Sequence, residues 1–139
     1  MLKREELEIE MAILAKGMEA STMRKHAAFL GLRLIDDLGM AKTDDGIRRE
    51  YIVYAKRYPE YFQRTVDSRE VEYAWLIKRA ISEAKIEVGR EQGRIYWSNG
   101  GGLIGSYAKT ENPEQYLLGL ALTNTEEGRI FKERLQQLG

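Results

Sequence analysis

At 139 residues, the chain has the length of one compact domain with room for a helical extension, and it is long enough to bury a hydrophobic core. Hydrophobic residues make up 43% of it and charged residues 32%, a composition that argues against disorder along the whole chain. Its 22 basic and 22 acidic residues cancel, so no net field draws it towards nucleic acid, anionic lipid or an acidic substrate.

Several kinds of site and targeting segment are missing from the sequence. Cysteine is absent, which excludes disulfides, thiolate metal sites and cysteine nucleophiles. The first six residues are typical of a charged helix rather than a signal peptide. Apolar runs such as the five residues from Met11 to Ala15 are far shorter than a membrane span. We therefore expect a soluble, cytoplasmic protein.

Residues 1–40 are predicted to form an N-terminal helical segment. Over residues 2–19, apolar side chains repeat at 4-3-4 spacing and make one stripe. Its members are Leu7, Met11, Leu14 and Met18. From Ala20 the apolar residues change phase, and the new stripe ends near Gly39. The change predicts a helical hairpin or a kinked helix, with Ser21 as the cap of the second part. Such stripes usually pack in a core, and one this narrow also suits a helix that binds a partner.

The next segment is rich in tyrosine. The residues Thr43-Asp44-Asp45 have the pattern of a helix start, and Pro59 ends that helix at about Tyr58. A short helix from Pro59 to Val66 is expected to follow. Five aromatic side chains crowd into twelve positions, namely Tyr51, Tyr54, Tyr58, Tyr61 and Phe62. Aromatic density of this kind serves base stacking in some proteins, but it more often marks a core with phenol groups that reach the surface.

Residues 43–139 are predicted to form an α+β domain, mostly helical with a small antiparallel β-meander. The residues Asp67-Ser68-Arg69-Glu70 resemble a capping box, and the helix they open continues to about Lys85. The apolar period then changes from 3.6 to 2, and three short strands are expected between Ile86 and Tyr107, with a tight turn at Asn99-Gly100. Asn112 and Thr125 cap two final helices. The predicted core is Ile77, Ile81, Ile95, Trp97, Leu117, Leu120, Phe131 and Leu135.

No catalytic, cofactor or metal site is recognisable. The stretch from Gly100 to Gly105 matches G-x-G-x-x-G, but strand-like residues follow it where a dinucleotide site needs a helix. His26 is the only histidine, and it lies beside an apolar stripe without other soft ligands. Adjacent carboxylates such as Asp44-Asp45 point about 100° apart on a helix, so they do not converge on one atom. Without a recognisable nucleophile, base or oxyanion hole, we expect no enzyme.

The order of elements after Pro59 also resembles a winged helix. A short helix, a tight turn, a longer helix and a hairpin follow one another, and the longer helix would enter the major groove of DNA. Its basic residues are interspersed with glutamates, and the candidate wing from Ser98 to Gly102 has no basic residue, whereas DNA readers show an excess of cations. In this alternative, nucleic acid would contact Arg69, Lys78, Arg79 and Arg94.

Residues 80–120 resemble the C-terminal part of small tailed-phage proteins. The resemblance rests on Ala80-Ile81, Ile86, Gly93 to Trp97, Gly101-Gly102, Ile104-Gly105 and Pro113 to Leu117. These phage proteins mostly have no assigned role, and some are virion components. The resemblance implies a context in the virion or the host cytoplasm, and because its motifs are turn and core positions it assigns no functional residue.

The sequence favours a non-catalytic structural or adaptor protein that acts through a protein partner or through self-association. This expectation combines the missing catalytic motifs with the narrow N-terminal stripe and the cluster of tyrosines. The predicted partner-binding residues are Leu7, Met11, Leu14, Met18, Tyr51, Tyr54 and Tyr58.

Overall fold

The computed structural model describes residues 2–138 of the chain, and it confirms an α+β protein that is mostly helical. Seven helices and one small sheet are formed within these residues. In chain order they are α1 (Leu2–Gly17), α2 (Ala20–Phe29), α3 (Asp44–Arg57), α4 (Pro59–Thr65), α5 (Arg69–Ser82), β1 (Ile86–Gly89), β2 (Arg94–Trp97), β3 (Gly102–Ser106), α6 (Pro113–Leu122) and α7 (Glu126–Leu138).

The chain divides into two compact units, and the boundary lies between Val71 and Glu72, inside α5. This division differs from the predicted one, which placed the boundary between residues 40 and 43. Helices α1 and α2 pack on α3, and α1 also packs on α4, so the N-terminal helices share one core with the segment that was expected to belong to the second domain.

The core of the first unit is built from all four of its complete helices. Ala15 of α1, Met23 of α2, Ile47 of α3 and Phe62 of α4 are fully buried together. Small residues of this core, such as Ala15, let the helix backbones approach closely, while large ones fill the space between them. A four-helix arrangement thus includes residues of the predicted N-terminal helical segment.

The break between α1 and α2 is held by polar groups on both sides. The side chain of Glu19, rather than Ser21, caps α2 by accepting hydrogen bonds from the backbone N–H groups of Ser21 and Thr22. Arg48 of α3 donates to the backbone oxygens of Ala15 at 3.0 Å and Met18 at 2.8 Å. Because the last carbonyls of a helix lack partners within the helix, this arginine stabilises the bend.

Helix α2 ends at Phe29, about ten residues before the predicted end near Gly39. Gly31 has a φ of 88°, a left-handed conformation that terminates a helix and favours glycine. The chain then forms a short turn in which the Asp36 carboxylate accepts hydrogen bonds from the N–H groups of Leu38 and Met40. This local chemistry overrides the apolar spacing that suggested a longer helix.

The second unit contains the predicted meander, with strand order β1-β2-β3 and antiparallel pairing. The turn lies at Asn99 and Gly100, which have φ values of 60° and 73° as a tight hairpin requires. Asn112 and Thr125 cap α6 and α7 as predicted. Six of the eight predicted core residues are buried, while Ile81 and Leu120 are half-buried.

Candidate functional site

The predicted N-terminal interface stripe belongs to the core of the first unit. Met11 is 6% exposed, and Leu7 and Met18 are partly buried against the same core. Leu14 is the exception, with 39% of its surface exposed. The prediction that this stripe faces a partner is therefore wrong for Met11, because packing of α1 against α3 and α4 covers it.

The three predicted tyrosines lie at different depths. Tyr51 is fully buried, so it cannot contact a partner and that prediction is wrong. Tyr54 is partly buried at the edge of the core, and Tyr58 is 47% exposed. Residues 51, 54 and 58 have the spacing of one helical side, but Tyr58 follows the last residue of α3, as its C-cap.

Tyr51 instead takes part in a buried hydrogen-bond chain around His26. The Tyr51 hydroxyl lies 2.7 Å from His26 Nδ1, and His26 Nε2 lies 2.7 Å from the Thr65 hydroxyl. Because that hydroxyl donates its proton to the Tyr61 carbonyl at 2.9 Å, it accepts from Nε2–H. His26 is thus the Nε2–H tautomer, and its Nδ1 accepts the proton of Tyr51.

The environment keeps His26 and Tyr51, the two titratable groups of this hydrogen-bond network, neutral. Burial lowers the pKa of His26 from 6.5 to about 4, opposed by the carboxylate of Asp67. Burial also raises the pKa of the Tyr51 hydroxyl well above its usual range. His26 has no exposed surface, so this hydrogen-bond network has a structural role. It fixes α4 against α2 and α3. Through the Tyr61 carbonyl it also anchors the first turn of α4.

The exposed side of α4 carries the candidate site. Pro59, Phe62 and Thr65 repeat every three residues and are buried, which leaves Glu60, Tyr61 and Arg64 outside. An open groove of about 480 Å³ lies here. Its lining consists of Arg4, Tyr58, Glu60, Tyr61 and Arg64. We call these five residues, together with Tyr54 and Arg57, the tyrosine–arginine surface.

Two arginine side chains of this surface lie near tyrosine rings. The guanidinium of Arg64 lies 5.0 Å from the centre of the Tyr61 ring, and that of Arg57 lies 6.0 Å from the Tyr58 ring. The Tyr54 and Tyr58 rings are 4.9 Å apart and tilted by 50°. Contacts of this kind pre-order long side chains, so less conformational entropy is lost when a ligand binds.

The arginines of this surface differ in their partners. Arg4 forms ion pairs with Glu60 at 2.5 Å and Glu8 at 3.4 Å, so its charge is compensated. Arg57 and Arg64 form no ion pair with any residue in the described part of the chain. The surface therefore combines a neutralised cation with two cations that have only aromatic partners.

Sequence reasoning missed Arg4, Arg57, Glu60, Tyr61 and Arg64 as site residues. Part of the signal was present, because Tyr58 and Tyr61 are three residues apart, as are Tyr61 and Arg64, and the buried Phe62 marks the opposite side of α4. The contribution of Arg4 had no local signal, since Arg4 and Glu60 are 56 positions apart in the chain.

The residues of the winged-helix alternative are exposed and divide between the two units. Arg69 belongs to the first unit, while Lys78, Arg79 and Arg94 belong to the second. Arg79 forms an ion pair of 3.5 Å with Glu83. A cation does reach the candidate wing, but it comes from α7: Arg134 donates to the Gly101 carbonyl at 3.1 Å.

Other sources of function give no site in the described residues. Residues 2–138 contain no group of three or more side chains suited to hold a metal ion. The glycine-rich stretch forms a hairpin turn and strand β3, and the next helix begins only at Pro113, so the geometry of a dinucleotide-binding unit is not formed there. None of the described helices combines the length and apolar character needed to cross a membrane.

Comparison with known proteins gave no relative. No family model, curated protein or solved structure matches the chain. The tyrosine–arginine surface is therefore interpreted from its own geometry.

Proposed function

We propose that this protein is a non-catalytic adaptor that binds a protein partner through the tyrosine–arginine surface. The observation that carries the proposal is the open groove in which Tyr58 and Tyr61, 47% and 37% exposed, are paired with arginine side chains. Tyrosine and arginine are enriched among the residues that dominate binding energy at protein interfaces. The resemblance to small tailed-phage proteins adds the context of a virion or assembly component.

Tyrosines suit this task because they contribute contact area at a small entropic cost. Each has two side-chain torsions, and here the rings are further restrained by neighbouring rings and guanidinium groups. The buried hydrogen bonds of His26 with Thr65, and of Thr65 with the Tyr61 carbonyl, stabilise the first turn of α4. A rigid, partly apolar surface with a polar margin has the composition of an interface centre.

A photo-crosslinking experiment tests the proposal. The full chain carries p-benzoylphenylalanine in place of Tyr61, and a matched variant carries it in place of Tyr96, a half-exposed tyrosine of β2. We expect irradiation in a lysate of the source cells to link the first variant to a discrete protein, or to a second copy of the chain, and not to link the second variant.

A double variant, Tyr58→Ala with Tyr61→Ala, then shows whether the same partner depends on the surface. We expect its affinity for the crosslinked partner to fall at least about tenfold. This corresponds to a loss of about 1.4 kcal/mol of binding free energy, less than two tyrosines at the centre of an interface contribute. Tyr96→Ala should retain full capture. Absence of a crosslink at position 61, or equal links at both positions, would refute the proposal.

The winged-helix alternative is supported by the chain order of α4, α5 and the meander. It predicts tight DNA binding that weakens steeply as salt rises, because each phosphate contact releases counterions. An electrophoretic shift assay at low and high salt distinguishes the two functions. Salt-sensitive binding that is lost in Lys78→Gln with Arg94→Gln would replace the adaptor proposal.

A further inference from the structure

We infer that the partner presents an acidic segment to the tyrosine–arginine surface, with carboxylates that pair with Arg57 and Arg64 and an apolar or aromatic side chain that lies between Tyr58 and Tyr61. This inference rests on the proposed function and specifies the chemistry of the partner. It is carried by the charge of the tyrosine–arginine surface, by the lack of ion pairs at Arg57 and Arg64 among the described residues, and by the size of the groove.

The charge of this surface differs from that of the whole chain. The chain has no net charge, whereas this surface together with Glu8 combines three arginines with two carboxylates, an excess of one positive charge. Both carboxylates, Glu8 and Glu60, pair with Arg4, so Arg57 and Arg64 have none. A binding partner that covers this surface would leave Arg57 and Arg64 as buried, uncompensated cations unless it supplies negative charge. Charge complementarity therefore favours a partner rich in Asp or Glu.

The two arginines have N–H donors available for carboxylates. Their guanidinium carbons lie 6.0 Å and 5.0 Å from the centres of the Tyr58 and Tyr61 rings, and each guanidinium carries five N–H donors. Neither guanidinium donates a hydrogen bond to a residue in the described part of the chain. Each therefore has N–H donors with which it can form a bidentate, charge-assisted pair with a carboxylate.

The size and composition of the groove favour a peptide over single-stranded nucleic acid. Its volume of about 480 Å³ fits a few side chains, and tyrosine rings line it next to the carboxylate of Glu60. Single strands are bound along grooves with a continuous row of cations that follows the phosphates. Here Arg4 is already paired with Glu60, so the arginines do not form a continuous row of free cations.

Fluorescence anisotropy with the full chain tests the inference. The probes are a short labelled peptide that alternates Asp and Glu with Phe, the same peptide with Asn and Gln in place of the acids, and an oligothymidylate. We expect the acidic peptide to bind at least about tenfold more tightly than its amide counterpart and than the oligothymidylate.

Matched variants locate the effect. Arg57→Gln with Arg64→Gln should weaken binding of the acidic peptide at least about tenfold, to the level of the amide peptide. Arg79→Gln with Arg94→Gln, which removes two exposed arginines of the second unit, should leave it unchanged. Equal binding of acidic and amide peptides, or no binding of either, would overturn the acidic-partner inference, and tighter binding of oligothymidylate would replace it with a single-stranded nucleic acid.

The crosslink at position 61 separates this inference from the proposed function. Mass spectrometry of the crosslinked product identifies the partner segment at the groove. An excess of Asp and Glu in that segment supports the inference, while a neutral or basic segment overturns it and leaves the adaptor function standing. If no protein is linked at position 61, both fail.

Discussion

His26 is buried in a position that favours its neutral form. Its two ring nitrogens have opposite roles, since Nδ1 accepts a proton from Tyr51 while Nε2 donates to Thr65. Protonation would place a second donor at Nδ1, facing a hydroxyl whose proton already points there. Burial lowers the pKa of His26 to about 4, against the opposing effect of the Asp67 carboxylate.

The first prediction concerns the pH dependence of stability in the first unit. The pKa of His26 is about 4 when folded and 6.5 in its usual environment, so the unfolded state binds more protons between these values. Stability is then complete above pH 6.5 and falls as the pH decreases towards 4, by at most about 3 kcal/mol. Urea unfolding, followed through NMR signals of α2 and α3, measures this loss.

His26→Gln provides the control, because glutamine keeps one donor and one acceptor but does not titrate in this range. The variant should have lower stability at neutral pH and a flatter profile from pH 6.5 downwards, apart from the carboxylate titrations that both proteins share. A wild-type profile that is equally flat down to pH 5 would contradict the prediction.

A second residue-scale prediction concerns Gly105, where strand β3 passes against Tyr116 of α6. A Cβ at this glycine would collide with the Tyr116 hydroxyl and lie 3.0 Å from its ring carbon Cζ. We expect Gly105→Ala to destabilise the second unit by about 1–3 kcal/mol, as overpacking does. Thermal unfolding monitored by tryptophan fluorescence is suitable, since Trp75 and Trp97 both lie in this unit.

Gly119→Ala is the matched control, because a Cβ at that position meets no atom within 4 Å and alanine favours a helix. It should be neutral or stabilising. Tyr116→Phe removes the closest colliding atom, so Gly105→Ala should cost less in that background. An equal cost in both backgrounds would show that the collision is not its source.

At the scale of elements, Arg134 of α7 holds the turn between β2 and β3. Its guanidinium lies 4.4 Å from the centre of the Trp97 ring and donates a hydrogen bond to the Gly101 carbonyl. The turn is thereby attached to a helix, which differs from the free basic wing that a winged-helix DNA reader would present.

We predict that Arg134→Ala lowers the stability of the second unit by about 1–2 kcal/mol, since it removes both a cation–π contact and a hydrogen bond. Amide exchange of Gly101 should accelerate. This N–H donates to the Ser98 carbonyl within the same turn, so its protection depends on the turn that Arg134 stabilises. Arg129→Ala, on the same helix, removes exposed pairs with Glu126 and Glu133 and should change stability by less than about 0.5 kcal/mol. Equal effects of the two substitutions would argue against a role for Arg134 in the turn.

At the scale of the whole molecule, α1 is part of the first unit rather than an appendage. Ala15 is fully buried and Met11 nearly so, and both pack in the same core as Met23 and Phe62. The end of α1 is also bonded to Arg48 of α3. Residues 1–19 therefore contribute to folding. Deleting them would disturb this core and would not test a binding surface on α1 by itself.

We predict that a chain without residues 1–19 loses the cooperative fold of its first unit. Two-dimensional NMR should show the amide signals of α3 and α4 collapsing into the narrow range of an unfolded segment. Leu14→Ser, which changes an exposed position of α1, should keep those signals dispersed. A truncated chain with native signals for α3 and α4 would contradict the assignment of α1 to this core.

The sequence by itself determined where most elements begin and end. Thr43, Asn112 and Thr125 cap helices, Pro59 separates two of them, and Asn99-Gly100 forms a turn. These features depend on groups within a few positions of one another, so the local pattern is sufficient. The same reasoning failed at α2, where the apolar spacing continued past Phe29 although the helix ended there.

Only the tertiary structure decided which apolar and aromatic side chains are buried. Tyr51 and Tyr58 look alike in the sequence, yet one is fully buried beside His26 and the other lines the groove. Burial depends on contacts between residues far apart in the chain, such as Tyr51 with His26 and Arg4 with Glu60, 25 and 56 positions away. No local period records such contacts, and so both the domain boundary and the tyrosine–arginine surface became visible only in three dimensions.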